Sequence, residues 1–308
     1  TAHYLWQSAE FCRKIIRRGL GRAGAVYAFN SAALELLRFA TERGLPTALE
    51  QTLPPWKLAQ GWLEEERRAW PGWEPQTAVD TMAEEFTERE RQEWRYADLV
   101  LCGSDFVVQA VTALGGPAQR CRVVPYGVDF SPGCSPRRRN GRLRVLFSGA
   151  VGLRKGVPYL LEAGKRLAAD RFEFRLVGPV SLSRSARAAV SARAQLVGPV
   201  LRPEMARHYE WADVFLLPTL CEGSATVCYE ALAAGLPVIT TPNAGSVVRN
   251  GTDGFVVPIR DAEAIAEKLD LLASQPGLLE EMSRNALERS RAFTLSKYGE
   301  RLLAALPG

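Results

Sequence analysis

Histidine is nearly absent from this chain, with only His3 and His208 among 308 residues. That scarcity excludes a histidine-rich metal site and a hydrolase relying on several imidazoles, and each of the two reads as a structural residue. The six cysteines, Cys12, Cys102, Cys121, Cys134, Cys221 and Cys228, include no CxxC pair and no Cys/His spacing suited to a metal. Most stand beside apolar residues, as small buried hydrophobes do, so they read as reduced thiols of a cytosolic protein with no metal site. No apolar run is long enough to cross a membrane. From Thr1 onward there is no charged-then-apolar leader and no small-residue cleavage site, so no secretory signal is visible. A Walker phosphate loop is missing too. Gly19-Leu-Gly21-Arg-Ala-Gly24 satisfies GxGxxG in form, but it follows the basic stretch Arg13–Arg18 and precedes a strand rather than a helix, and is rejected as a dinucleotide fingerprint.

What is present is an ordinary globular composition, 47% hydrophobic and 24% charged, in a chain long enough for two domains. Its net charge of +5 is unevenly placed: residues 1–136 carry 15 basic and 17 acidic side chains, residues 137–308 carry 24 and 17. The second half is therefore expected to hold any anionic ligand. Lacking a clustered basic face or aromatics interleaved with basic residues, it suits a small phosphorylated molecule better than nucleic acid.

From Leu143 onward short apolar runs alternate with helical stretches. Arg144–Ser148, Phe172–Val177, Ala194–Val197, Asp213–Leu217, Pro237–Thr240 and Gly254–Val257 read as strands of a parallel sheet, with crossover helices such as Val157–Ala169 and Ser224–Ala234. Weaker signals place strands at Ala25–Phe29, Pro46–Glu50, Asp98–Leu101 and Arg122–Val124. The halves share a phrase: Ala97-Asp98 and Ala212-Asp213 each follow an aromatic-rich helix end and open a strand, either by coincidence or because two similar Rossmann-like domains repeat one device. Turn formers and charge over Ser131–Arg142 read as a linker. The predicted fold is α/β with two Rossmann-like domains: residues 1–136, residues 137–290, and an amphipathic helix over 291–308 packing back at the domain junction.

Parallel sheets bind ligands beyond the carboxyl ends of their strands. Two such loops stand out. In Pro218–Pro237, Glu222 lies in a loop, Gly223 lets backbone approach a ligand, and a helix predicted from Ser224 offers the unpaired amides of Gly223 to Thr226, Ser224 and Ala225 included, to a diphosphate. Glu230, one turn beyond Thr226, is placed to accept both hydroxyls of a ribose. In Ser148–Pro158, Gly149 permits close approach, and Arg154 and Lys155 are fixed cations for a leaving diphosphate. Acidic residues near a helix start and a solvated basic turn are the plainer alternatives for each loop taken alone. The basic Arg13–Arg18 stretch reads as a solvated helix face, with peripheral contact to acidic lipid at an inner membrane face as the alternative. Trp56, Trp62, Trp70 and Trp73 read as amphipathic helix packing, with acceptor-sugar stacking or a membrane surface as alternatives.

Together with Val123–Asp129 and Asn243–Pro258, these loops resemble the retaining GT-B glycosyltransferases of family 4, the glycosyl transferases group 1. The resemblance is specific from about Ala97 to the end and only general before it. It implies a GT-B architecture and a nucleoside-diphosphate sugar as donor substrate, with no cofactor and no metal. It also implies hexosyl transfer with retention to a glycan or glycoconjugate acceptor held mainly by the N-terminal domain, in polysaccharide or glycoconjugate assembly. By position, Gly149, Arg154, Lys155, Ser224, Ala225 and Thr226 would bind the diphosphate. Glu222, Gly223 and Ser224 would bind the sugar, Glu230 the ribose, and backbone near Val200 the base. Glu222, the expected catalytic residue, would orient the donor while the leaving phosphate helps deprotonate the acceptor. Three features depart from the pattern. Ala150 stands where many members have Arg, no His lies near the Leu49–Thr52 strand end, and the opening strand with its glycine-rich acceptor loop is not seen. The last implies either an N-terminal truncation or an acceptor site built differently. A nucleotide-sugar-binding protein without turnover, and another Rossmann-like enzyme, are the competing classes.

Overall fold

The computed structural model describes residues 2–75, 81–130 and 141–306. Most of the predicted linker, residues 131–140, lies outside them. The chain divides into two compact units: Thr1–Gly61, Thr77–Pro125 and Tyr298–Gly308 form the first, Trp62–Gln76 and Tyr126–Lys297 the second.

In the first unit α1 (Ala2–Arg18), β1 (Val26–Phe29), α2 (Leu34–Thr41), β2 (Thr47–Gln51), α3 (Trp56–Ala69), α4 (Ala83–Tyr96), β3 (Leu99–Cys102), α5 (Asp105–Ala113) and β4 (Cys121–Val123) follow in turn, α3 continuing into the second unit. All four strands pair in parallel in the order β1-β2-β3-β4. The sheet thus has no reversal of strand order among the described residues. Helix α1 buries Ser8, Ala9 and Cys12 and turns Arg13, Lys14, Arg17 and Arg18 outward. Helix α2 has Ala33 at its N-cap, which supplies no acceptor. Glu93 of α4 caps it instead, accepting from Ser31 N at 2.6 Å, Ala33 N at 2.9 Å and Leu34 N at 3.2 Å.

The second unit contains β5 (Leu143–Ser148), α6 (Val157–Arg166), β6 (Phe172–Val177), α7 (Arg184–Ser191), β7 (Ala194–Gly198), α8 (Met205–Trp211), β8 (Val214–Leu217), α9 (Thr226–Ala233), β9 (Val238–Thr240), β10 (Gly254–Val256), α10 (Ala262–Ser274) and α11 (Pro276–Ser290). Its parallel strands lie in the order β10-β9-β8-β5-β6-β7. Each of the six predicted strands forms. Between β9 and β10, however, the connection is a 3-10 turn, Pro242–Ala244, with no α-helix. The order reverses between β5 and β8, which makes that crevice the switch point where doubly wound sheets bind ligands.

The shared Ala-Asp phrase is one device used twice. Asp98, opening β3, accepts from Thr47 N and Thr47 Oγ1, both at 2.9 Å. Asp213, opening β8, accepts from Arg144 N at 3.0 Å and pairs with the Arg144 guanidinium at 3.1 Å. In both sheets a carboxylate, exposed at Asp98 and buried at Asp213, ties the foot of its strand to the neighbouring one, so the repeat has a structural cause.

The two units correct the expected division at 136/137. They part at Pro125/Tyr126, and residues 62–76 belong with the second sheet. The final helix α12 (Leu295–Ala305) begins in the second unit, and Tyr298 and Leu302 pack on Ala48, Leu99, Leu101 and Val124 of the first. The tryptophan segment packs as a helix does: Trp56 lies against Phe86 with ring centroids 5.1 Å apart, and Trp70 and Trp73 lean on the second core.

Candidate functional site

The loops leaving β5 and β8 meet at the switch point. Arg154 O accepts from Leu220 N at 2.9 Å and from Thr219 Oγ1 at 3.1 Å, and Arg154 Nη1 donates to Cys221 O at 2.8 Å. Gly156, with φ of +70°, makes the meeting possible, since any Cβ there would overlap the Pro218 carbonyl. Gly149 has φ of +139°, and the Lys155 side chain lies across the space its Cβ would border, with Nζ at 3.5 Å. Lys155 is 7% exposed, and its ammonium stands 2.7 Å from Glu222 Oε1. The Arg154 guanidinium contacts the same oxygen. Gly149, Arg154, Lys155 and Glu222 are thus brought together as the sequence predicts, with Glu222 already ion-paired by both cations.

Helix α9 starts at Thr226, two residues later than predicted. The cause is the turn after β9, which takes up the loop backbone: Glu222 N donates to Asn243 O at 2.9 Å and Ala225 N to Ala244 O at 3.0 Å. The amide of Ala225 is therefore withdrawn from the phosphate set, a correction to its predicted role. Ser224 is buried, its hydroxyl 2.6 Å from Tyr229 OH and donating to Gly245 O at 3.1 Å, so any ligand contact it makes runs through its backbone. Ala225, at the N-cap, has no side-chain acceptor for the first turn, which leaves the positive end of α9 uncapped beside Arg154 and Lys155.

Glu230 is 7% exposed and holds two partners. Its Oε2 accepts from Tyr209 OH at 2.8 Å, and its Oε1 is 3.2 Å from Nη1 of the exposed Arg202. Burial and then the Glu230 charge push the Tyr209 phenol far above its ordinary range, so it remains a donor. Arg202 lies on the turn after β7, two residues beyond the half-buried Val200. Through it the predicted base-side loop reaches Glu230. Burial pushes the Cys221 and Cys228 thiols up to about 12, so neither supplies a thiolate at neutral pH. Among the described residues no group of three or more His, Cys, Asp or Glu side chains is placed to hold a metal, and no helix is long and apolar enough to cross a membrane.

Residue-by-residue reading missed Tyr209, Arg202 and the turn at 242–245. The sequence signals were the aromatic helix end before Asp213, an Arg-Pro after the third strand of the unit, and the Pro-Asn-Ala-Gly turn formers.

Two fixed cations, one carboxylate and an uncapped helix start are the kind of groups that can receive a diphosphate, and a buried carboxylate one helical turn further on is of the kind that can accept from vicinal hydroxyls. Fold and site define the class, a two-domain α/β protein of GT-B architecture. Sucrose-phosphate synthase of Thermosynechococcus elongatus has a similar fold, at TM-score 0.75 and 19% identity over 98% of this chain and 79% of that one. HepE of Anabaena, solved in complex with UDP, does so at TM-score 0.73 and 14% identity over 97% and 82%. Among curated proteins, the D-inositol 3-phosphate glycosyltransferase of Geodermatophilus obscurus is 31% identical over 234 residues, 67% of this chain and 51% of that protein. Residues 142–275 match the family model of glycosyl transferases group 1. That segment, which holds both loops of the candidate site, belongs to the glycosyl transferases group 1 family. It spans 58%, 51% and 50% of the length of three curated relatives it matches.

Proposed function

We propose that the chain is a retaining, metal-independent glycosyltransferase moving a hexosyl group from a nucleoside-diphosphate sugar to a glycan or glycoconjugate acceptor. The observation that carries this reading is the meeting of Arg154, Lys155 and Glu222 at the β5/β8 switch point. A donor diphosphate replaces Glu222 as partner of the two cations, and the positive end of α9 adds to their field. Glu222, released from them, accepts from sugar hydroxyls, and Glu230 accepts from the ribose while keeping Tyr209. As the glycosidic bond breaks, charge grows on the leaving diphosphate, where the fixed cations stabilise it most. Attack from the same face of the sugar, with a leaving phosphate oxygen taking the acceptor proton, preserves the anomeric configuration. The presence of UDP in a structure of the same fold supports a nucleoside diphosphate as the bound group.

Thermal shift and calorimetry with UDP-, GDP- and ADP-sugars test the binding step, and the anomeric configuration of the product, read by NMR, tests retention. Stabilisation by none of them sinks the proposal. A second reading is nucleotide-sugar binding without turnover. It predicts donor binding with neither transfer nor slow donor hydrolysis.

A further inference from the structure

The second half of α3 and the turn after it, residues 62–75, reach the candidate donor site from the other half of the sequence. They form a strap that ends against the loops following β5 and β6. Glu66, fully buried, accepts from Tyr159 OH at 2.8 Å and from Arg260 Nε at 2.6 Å. Trp70 Nε1 lies 3.2 Å from the same Tyr159 hydroxyl. Arg260 holds this contact with φ of +65°, a conformation that a non-glycine side chain keeps only where its surroundings over-determine it. Trp73 O accepts from Ser183 N at 2.7 Å, in the loop after β6. The strap ends on Glu74, whose Oε1 accepts from Leu153 N at 2.8 Å.

That last bond falls in the middle of the 149–156 loop. Three other amides of the loop bond to nearby chain in the same half of the sequence: Gly149 N to Val177 O, Val151 N to Pro179 O, and Gly156 N to Leu153 O. The Leu153 amide, in a fully buried residue, has Glu74. Gly152 gives Glu74 its access, because a Cβ at 152 would overlap Glu74 Oε1 while its next neighbour, Ser181 Cβ, stands at an ordinary 3.5 Å. The residue bonded to Glu74 immediately precedes Arg154 and Lys155. We propose that Glu74 is a positioning residue for the diphosphate-binding loop, clamping its backbone so that Arg154 and Lys155 face the ligand. This rests on the donor-site reading above, and the contact is a backbone one, so a neutral acceptor of the same shape can serve.

The test uses Glu74→Ala, Glu74→Gln, Gly152→Ala and the double variant Glu74→Ala/Gly152→Ala. Hydrogen exchange over residues 149–156 reads the loop without any ligand, and calorimetry with UDP, GDP and ADP reads the cations. Glu74→Ala and Gly152→Ala should each speed exchange there and weaken nucleoside diphosphate binding by about tenfold, on the order of one lost hydrogen bond to a charged group. Glu74→Gln should stay within about threefold of the unmodified chain, and the double variant should be no worse than Glu74→Ala, since the added methyl then meets only Ser181 Cβ at an ordinary 3.5 Å. Unchanged exchange in Glu74→Ala, or Glu74→Gln as impaired as Glu74→Ala, overturns the proposal. Failure of the unmodified chain to bind any of the three nucleotides counts against the donor reading instead, while exchange still decides the role of Glu74.

Discussion

Replacing Glu230 separates its two jobs. In the structure one oxygen serves Tyr209 and the other pairs with Arg202, an exposed side chain whose pairing contributes little. Glu230→Ala removes a charge-assisted ribose contact of about 1.5–3 kcal/mol, which raises the donor Kd by roughly 10- to 150-fold. It also takes from the fully buried Tyr209 hydroxyl its close acceptor, leaving Val227 O at 3.5 Å, at about 1–3 kcal/mol of stability, or roughly 2–4 °C of Tm per kcal/mol in a unit of this size. Glu230→Gln keeps an acceptor for Tyr209 and loses only the charge. Its Tm should stay within about 2 °C, while its donor Kd rises by roughly 3- to 30-fold as a charge-assisted bond becomes a neutral one. Calorimetric titration with the preferred nucleotide sugar, alongside melting curves, gives both numbers for each variant. If Glu230→Ala melts early yet binds donor within twofold of the unmodified chain, the carboxylate is only Tyr209's acceptor and the ribose assignment is wrong.

Glu222→Ala leaves Arg154 and Lys155 without their carboxylate and should bind a bare nucleoside diphosphate at least as tightly as before, while transfer falls by about 100-fold or more; equal losses in both would refute the orienting role. Gly156→Ala should destabilise the second unit by at least about 3 kcal/mol, because the new methyl meets the Pro218 carbonyl and the backbone there is left-handed; a melting temperature unchanged within error would contradict the loop meeting. In the first unit, burial raises the Glu90 carboxyl to about 7. Its contribution of about 3 kcal/mol is therefore fully present below pH ~4.5 and lost as pH rises through ~7. Denaturant titrations between pH 5 and 8 should show this slope flattened in Glu90→Gln, and an identical slope would show that another group titrates.

The strands were legible because parallel strands covered on both faces read as unbroken apolar runs: all of Val214–Leu217 is buried, as is all of Leu99–Cys102. The Ala-Asp phrase was legible as a repeat, but its task was not, since the partners of Asp98 and Asp213 lie 51 and 69 residues away. Distance along the chain also hid the true division into units. Trp56–Ala69 reads as one amphipathic helix, and nothing in its periodicity says that Glu66 will meet a tyrosine 93 residues on. The site shows the same limit. Glycines, cations and carboxylates announced the two loops, whereas the loss of Ala225's amide to Ala244 depends on a turn that only the neighbouring strand brings near.

In the structure each of these charges is held by another. Arg154 and Lys155 share Glu222, a formal sum of +1, and Arg202 covers Glu230. On the proposed reading a donor diphosphate, carrying about two negative charges, would balance both cations and free Glu222 for hydroxyls beside it. The negative charge of Glu222 is then opposed mainly by hydroxyl hydrogens and by the partial positive charge at the start of α9. The buried Lys155 and Glu230 keep partners in both cases, Lys155 on Glu222 or the diphosphate and Glu230 on Tyr209, which spares the penalty that an uncompensated buried charge would impose. The same exchange limits affinity, because the donor gains only the difference between its own ion pairs and those it displaces. It also favours the departing diphosphate over the intact donor. As the glycosidic bond breaks, negative charge increases next to two cations whose carboxylate has already been moved aside, and the site's electrostatic preference then follows the reaction rather than the bound sugar nucleotide.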